Sequence, residues 1–345
     1  MCGAGERAMR KAAALGIAIL AVLVVAGIGA WYLLASGRGY GGAPDPITVA
    51  YSPFESTALF WIAVDQHFLE KNGLNVSLRS YNSGPAALEG MLDGEADIAV
   101  GTSEFPLVGK AFQKARVRAM GNIDKGSFIY LVGRRDRGIG NVSDLKGKRI
   151  GTTFGTVAEF HLGRFLLLHG IEPGEVHLVD VTTPEDWVNA VATGDIDAIA
   201  TAQPYANEAG DRLGANAITW PVQSSQPVFG LVISTDDWIK AHPEQARRFL
   251  GSLAQAEEFA TTHPDEAKAI VQRRLGLDPG YMEAVWQQNQ FTLSLDQSLV
   301  LAMEDEARWM IANNLTDATS VPDFRDYLYP DCLEAVKPGS VNIIR

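Results

Sequence analysis

The chain has 345 residues, 47% of them apolar and 20% charged, with a formal net charge of −12. That length can hold two lobes with cores of their own, and the composition excludes a disordered, collagenous or disulfide-stapled chain. Four of the 29 Lys and Arg and two of the 41 Asp and Glu fall in residues 1–46, leaving −14 on the rest; this excludes a nucleic-acid partner, which needs clustered positive charge.

In chain order, the first feature is Ala12–Ala35, an uncharged run dominated by Leu, Ile, Val and Ala. Its length of about 24 residues exceeds the roughly 20 that span a bilayer as a helix. Arg7, Arg10 and Lys11 precede it, and Trp31 and Tyr32 mark its far end. That order predicts a cytoplasmic stub and transmembrane anchor over residues 1–35, with the remaining chain outside. A cleaved signal is the alternative, with Ala35-Ser36-Gly37 as the best site, and Met9 is a second candidate initiator. Residues 36–46, rich in Gly and Pro, read as a linker. Cys2 and Cys332 then lie on opposite sides of the membrane and cannot pair.

From Ile47 onward, strand-like runs alternate with helical patterns. "ITVAY", "NVSLRSY", "ADIAVGT" and "RAMGNI" read as strands, separated by "ALFWIAVDQHFLEKN", "GPAALEGMLDG" and "EFPLVGKAFQK" as helices. "FIYLVGRR" leads into a second series: "KRIGTTF", the helix "TVAEFHLGRFLLLHG", "VHLVDV", the helix "PEDWVNAVAT", and "DAIATA". After "VFGLVIST" the chain reads as nearly all helix. Such alternation predicts an α/β fold rich in parallel strands with crossover helices.

One unit is written twice. Gly94-Glu-Ala-Asp97 and Gly194-Asp-Ile-Asp197 each follow a helix and open an apolar strand. The Gly suits a helix end with positive φ, and the strand suits a sheet buried on both faces. Ligands of open α/β sheets bind beyond the carboxyl ends of the strands, where the copies place Thr102 and Ser103, and Thr201 and Gln203. Asp195 and Asp197 form a D-x-D, but the repeat gives Asp197 the sheet-end role of Asp97 rather than a metal. His161 lacks partners at metal-ligand spacing, so it reads as surface or cleft-edge packing. Cys332 lacks a catalytic context. Phe54, Phe154, Phe160 and Tyr205 are candidates for ligand stacking, with core packing the default for Phe154. No P-loop, nucleotide fingerprint or catalytic triad is visible.

The order and wording of three segments, "YNSGPAALEGMLDGEADIAVGTSE", "VSDLKGKRIGTTFGTVAEFHLGRFLLLHGI" and "TPEDWVNAVATGDIDAIATAQPY", resemble the periplasmic solute-binding proteins of ABC importers, in the nitrate, taurine and alkanesulfonate branch. The resemblance runs from about Ile47 to at least Thr262. It implies the two-lobe type II binding-protein fold, with "FIYLVGRR" and "VFGLVIST" as crossover hinge strands. Lobe 1 would span 47–135 and lobe 2 136–228, with 229–345 returning to lobe 1 and adding C-terminal helices. Hinge closure would follow binding. Carried over by motif, the ligand contacts are Ser52 and Phe54, Ser83 and Gly84, Thr102 and Ser103, then Gly155, Thr156 and Val157. Helix N-termini there suit carboxylate, sulfonate or nitrate oxygens. Relatives often have Trp-Asp-Pro-Tyr at the last site, whereas this chain has Ala202-Gln203-Pro204-Tyr205, a roomier and neutral wall from which Gln203 and Tyr205 would face the ligand. Glu55, Glu104 and Glu159 lie near the expected cleft. Either they stabilise helix N-termini, or they repel an anion and attract an ammonium group, Glu159 being the one placed among the ligand contacts.

The function implied is capture of a small anion or zwitterion, sulfonate-, taurine- or nitrate-like, and its delivery to an ABC permease and ATPase. The protein would be a monomer without cofactor, metal or catalysis. The alternatives are an enzyme related to the pyrimidine synthases of thiamine biosynthesis, whose Cys-rich motif has no counterpart here, and a membrane-anchored receptor.

Overall fold

The structure is a computed structural model and describes residues 41–224 and 226–344. The apolar run 12–35 and the basic and aromatic residues around it lie outside the described residues, as does Cys2. Among the described residues no helix is long and apolar enough to cross a membrane.

Asp45–Arg345 form one unit built on two sheets. The first has six strands: β1 (Asp45–Tyr51), β2 (Leu74–Ser80), β3 (Ile98–Thr102), β4 (Val117–Gly126), β10 (Val228–Thr235) and β11 (Asn289–Gln290), in the order β11-β4-β10-β3-β1-β2. The second has five: β5 (Ile129–Arg134), β6 (Arg149–Thr152), β7 (His177–Asp180), β8 (Ala198–Ala202) and β9 (Ala217–Pro221), in the order β7-β6-β8-β5-β9. The parallel pairing expected from the alternation is confined to β1 with β2 and β3, and to β6 with β7 and β8. β5 and β10 pair antiparallel with all their neighbours, because the chain enters each of them after passing from the other sheet. Both sheets are therefore mixed rather than parallel-rich. A short parallel pair, β12 (Leu295–Asp296) and β13 (Val341–Asn342), completes the strands.

The repeated unit has one structural meaning in both sheets. Gly94 (φ +79°) and Gly194 (φ +89°) take the left-handed conformation that a side chain resists. Three residues on, the Asp97 carboxylate accepts the Thr48 N–H at 2.7 Å, and the Asp197 carboxylate accepts the Arg149 N–H at 2.9 Å. Each acid thus takes up a backbone N–H of the neighbouring strand just before its own strand begins, with a charge-assisted bond: mid-strand in β1 and at the first residue of β6. Burial would raise the Asp197 pKa, but hydrogen bonds from the Arg149 side chain and backbone hold it low. Asp195 instead accepts the Thr193 hydroxyl at an exposed turn, and among the described residues no cluster of three His, Cys, Asp or Glu could hold a metal. Asp97→Ala and Asp197→Ala should each cost about 1–3 kcal/mol by stranding a backbone N–H. Chemical unfolding checks the cost, and ligand affinity should stay constant.

Two helical expectations change. The segment 58–72 breaks into Ala58–Asp65 and Phe68–Lys71, because His67 is left-handed (φ 57°). In the C-terminal part, the helices Pro243–Thr262, Pro264–Leu275 and Gln297–Ala312 match the apolar spacing, while Pro279–Trp286 and three short strands escaped it.

Candidate functional site

The loops after β1, β2, β3 and β6, β8 itself, and the starts of β5 and β10 line a cleft between the sheets of about 90 Å³. Its position follows the rule for open α/β sheets, since strand carboxyl ends and helix starts from both sheets meet there, joined by the first residues of the two antiparallel strands β5 and β10. Seven expected contacts line it: Ser52, Phe54, Ser83, Gly84, Ser103, Thr156 and Val157. Ser83, Ser103 and Thr156 are the N-cap residues of the helices Gly84–Leu92, Glu104–Phe112 and Val157–Leu168. The first-turn N–H groups of such helices lack intrahelical acceptors. Ser52 is wholly buried and its Oγ has no partner. A buried hydroxyl left open on a cleft wall is a donor and acceptor waiting for a ligand.

Five expected contacts do not line the cleft. The pleat turns Thr102 away from Gly101 and Ser103, and its hydroxyl donates to the Gly84 carbonyl at 3.0 Å. Gly155 gives its N–H to the Glu159 carboxylate at 2.8 Å, so that pair closes its own helix start. Gln203 caps the following helix, bonding both the N–H and the side chain of Asn207. Tyr205 stands behind the wall, edge-on to Phe54 and Trp187 with centroids at 6.1 and 5.2 Å and interplanar angles of 78°. Of the other aromatics, Phe154 is 44% exposed rather than in the core. Phe160 packs between Phe105 and Trp309.

The three nearby acids all turn inward. Glu55 accepts the Tyr281 hydroxyl at 2.7 Å, and burial pushes its pKa up to about 7. Glu104 accepts the Phe229 N–H at 3.0 Å, and burial likewise pushes it up to about 7. Glu159 is raised by burial and opposed by the Gly155 bond. Only Glu159 closes its own helix start; Glu55 and Glu104 instead bond a distant tyrosine and a strand N–H, an arrangement that neither reading anticipated.

Sequence reasoning missed three contributors. Trp187 lines the cleft and stacks on Phe54, with centroids 6.5 Å apart and ring planes at 26°; its indole N–H donates to the Val181 carbonyl at 2.7 Å and to Thr153. Phe128 and Phe229 line the cleft where the chain crosses between sheets. There Gln223 accepts the N–H groups of Phe128 and Ile129 at 2.6 and 2.8 Å and donates to the Gly126 carbonyl at 3.0 Å, tying both crossings together. No local pattern marks a Gln for that role. Trp187 carried a weak signal, as an aromatic in the first turn of a helix that precedes a strand.

A second contact joins the two halves beside the cleft. Phe160 stacks on Phe105 at 5.9 Å, Arg164 pairs with Asp305, and a Cβ on Gly163 would stand 2.5 Å from the Trp309 ring. His161 sits within this contact, 1% exposed and not at the surface, its Nε2 unpartnered and its pKa pushed down to about 3 by burial and by Arg164.

The chain is similar to several known proteins. The taurine-binding periplasmic protein of Escherichia coli (strain K12) is 29% identical over 224 residues, covering 64% of this chain and 68% of the relative. The alkanesulfonate-binding protein SsuA of Xanthomonas axonopodis pv. citri, solved with MOPS bound, superposes with a TM-score of 0.72 at 18% identity, over 84% of this chain and 100% of that one. The desulfurization enzyme DSZB shares the fold at a TM-score of 0.61 and 18% identity, over 85% and 98% of the chains. The family model described as NMT1/THI5 like matches residues 55–267. With that match spanning most of both sheets and the cleft between them, the chain belongs to the NMT1/THI5-like family.

Proposed function

We propose that this is an extracytoplasmic solute-binding protein that captures a small organic anion, sulfonate-like at its charged end, and hands it unchanged to an ABC permease and its ATPase. The observation that carries the reading is the cleft itself. Helix N-termini from both halves and the open Ser52 hydroxyl converge on one cavity, which suits oxyanion oxygens without a basic side chain. The taurine- and sulfonate-binding relatives support the same class. In this reading residues 47–135 and 136–228 act as lobes that swing about the two crossings stapled by Gln223. Residues 12–35 hold the protein to the outer face of the membrane, and it works as a monomer. The cleft lining of hydroxyls, backbone and apolar groups favours capture over turnover.

Thermal-shift screening of the full chain against sulfonates, carboxylates, nitrate and amino acids tests it. A bound solute at a hundred times its Kd should stabilise by about 2.7 kcal/mol, with a smaller radius of gyration and recovery of the solute intact. Steady conversion of the solute, or no stabilisation by any of them, overturns the reading.

A further inference from the structure

Two cavities meet at one residue. Besides the cleft of about 90 Å³, the contact between the halves leaves a second opening of about 290 Å³, bordered by Arg164, Gln226, Pro227, Ser298, Leu301 and Ala302. Phe229 alone among the described residues borders both. The larger space therefore lies directly beyond the cleft, and one residue stands between them.

That residue is not free to step aside. Phe229 is the second residue of β10, where the chain has just crossed between the sheets, and it is wholly buried. Its N–H is held by the Glu104 carboxylate at 3.0 Å. Lys125, its cross-strand partner on β4, places its ammonium 5.5 Å from the ring centroid, within reach of a cation–π contact. The same ammonium pairs with Asp296, which caps the helix Gln297–Ala312 that carries Ser298, Leu301 and Ala302. Backbone, ring and the far wall are thus pinned to one another, and a close-packed ring so held keeps one rotamer.

The space beyond suits a tail and not a head. Arg164 is already paired with Asp305 and donates to Gln226 at 2.8 Å, so its charge is matched before any oxyanion arrives. Pro227, Leu301 and Ala302 supply apolar surface beside it. An oxyanion finds its donors on the other side of Phe229, at Ser52, Ser103 and the helix starts at Gly84 and Val157.

Resting on the solute-binding reading above, we propose that Phe229 is the end wall that sets the length of the solute. The cleft takes an oxyanion head with a short tail, and this ring shuts off the space that would admit a longer one.

Calorimetry on the full chain with straight-chain sulfonates, from ethanesulfonate to octanesulfonate, reads the limit. Each methylene that finds apolar cover is worth about fourfold in affinity. In the wild type the climb should stop within the series, and octanesulfonate should bind at least about tenfold more weakly than the best member. In Phe229→Ala the order should shift: ethanesulfonate binds more weakly, and affinity climbs about fourfold per methylene to octanesulfonate. Phe229→Leu makes a smaller opening and should move the limit the same way by fewer carbons; it serves as the test where the alanine variant does not fold. Leu301→Trp fills the outer space from an exposed position. It should leave the wild-type series unchanged and cancel the gain in Phe229→Ala. A wild-type affinity that climbs all the way to octanesulfonate, or a wild-type limit retained in both Phe229 variants, would overturn the end wall while leaving solute capture standing. A gain that survives Leu301→Trp would do the same. Binding of no sulfonate by the wild type would remove both readings together.

Discussion

Replacing Gly163 with leucine is expected to weaken binding of the best solute by about five- to a hundredfold while the chain still folds. The reason is a contact between halves. Gly163 lies on the helix Val157–Leu168, which starts at the cleft, and a Cβ there would stand 2.5 Å from Cζ2 of Trp309. A side chain cannot occupy that space unless the indole or the helix moves. Trp309 belongs to the helix Gln297–Ala312, which packs on Glu104–Phe112 of the first half, so the strain is relieved by separating the halves. Overpacking of this kind costs about 1–3 kcal/mol, and 1.4 kcal/mol is tenfold in affinity. If opening relieves it, the cost falls on the closed form alone and appears as lost affinity. Scattering should show an expanded ligand-free form and incomplete compaction at saturation, with Gly163→Ala intermediate. Unchanged affinity in Gly163→Leu would mean that this contact persists whether the cleft is open or closed.

The features legible in the sequence were those made by short-range chemistry. Gly94 and Gly194 announce left-handed helix ends, and the acids three residues later take up a backbone N–H of the neighbouring strand in each sheet. Ser83 and Thr183, each before a helix with Pro in its first turn, cap as their type suggests. The cleft wall was legible wherever a helix start defined it. Errors arose where direction depends on something distant. Thr102 and Ser103 are neighbours, yet pleat parity sends one toward Gly84 and the other into the cleft. Glu55 looks like a first-turn acid, but its partner Tyr281 is 226 residues away. Trp187 has the spacing of a core residue and is buried, and only its stacking on Phe54 of the other half brings it to the edge of the cleft. The two-residue strand β11 pairs with the end of β4, a long-range match with no periodic signal of its own.

Raising the pH from about 5 to 8 is expected to destabilise the folded chain, and Glu55→Gln should remove part of that loss. Four acids on the first half are wholly or almost wholly buried: Glu55, Glu104, Asp124 and Glu306. Desolvation raises each pKa, with Glu55 and Glu104 reaching about 7 from 4.5 and Asp124 and Glu306 standing well above their ordinary values. Neighbours reinforce burial, because Glu55 raises Asp124 and Glu104 raises Glu306. A carboxyl whose pKa is higher folded than unfolded holds its proton more tightly when folded. Its contribution is therefore full below the unfolded pKa of 4.5 and lost as the pH rises through about 7. At 1.36 kcal/mol per unit, the Glu55 shift alone corresponds to roughly 3 kcal/mol. Tyr281 donates to one oxygen of Glu55, while the other lacks a partner, as do both oxygens of Asp124. Ionising either acid places an uncompensated charge beside the other. Glutamine keeps the acceptor for Tyr281 and cannot ionise, so the variant should melt close to wild type at pH 5 and several degrees above it at pH 8. Melting temperatures of both chains across pH 5 to 8, without ligand, measure the difference. Parallel pH profiles would show that Glu55 titrates as an ordinary carboxylate and that water reaches it.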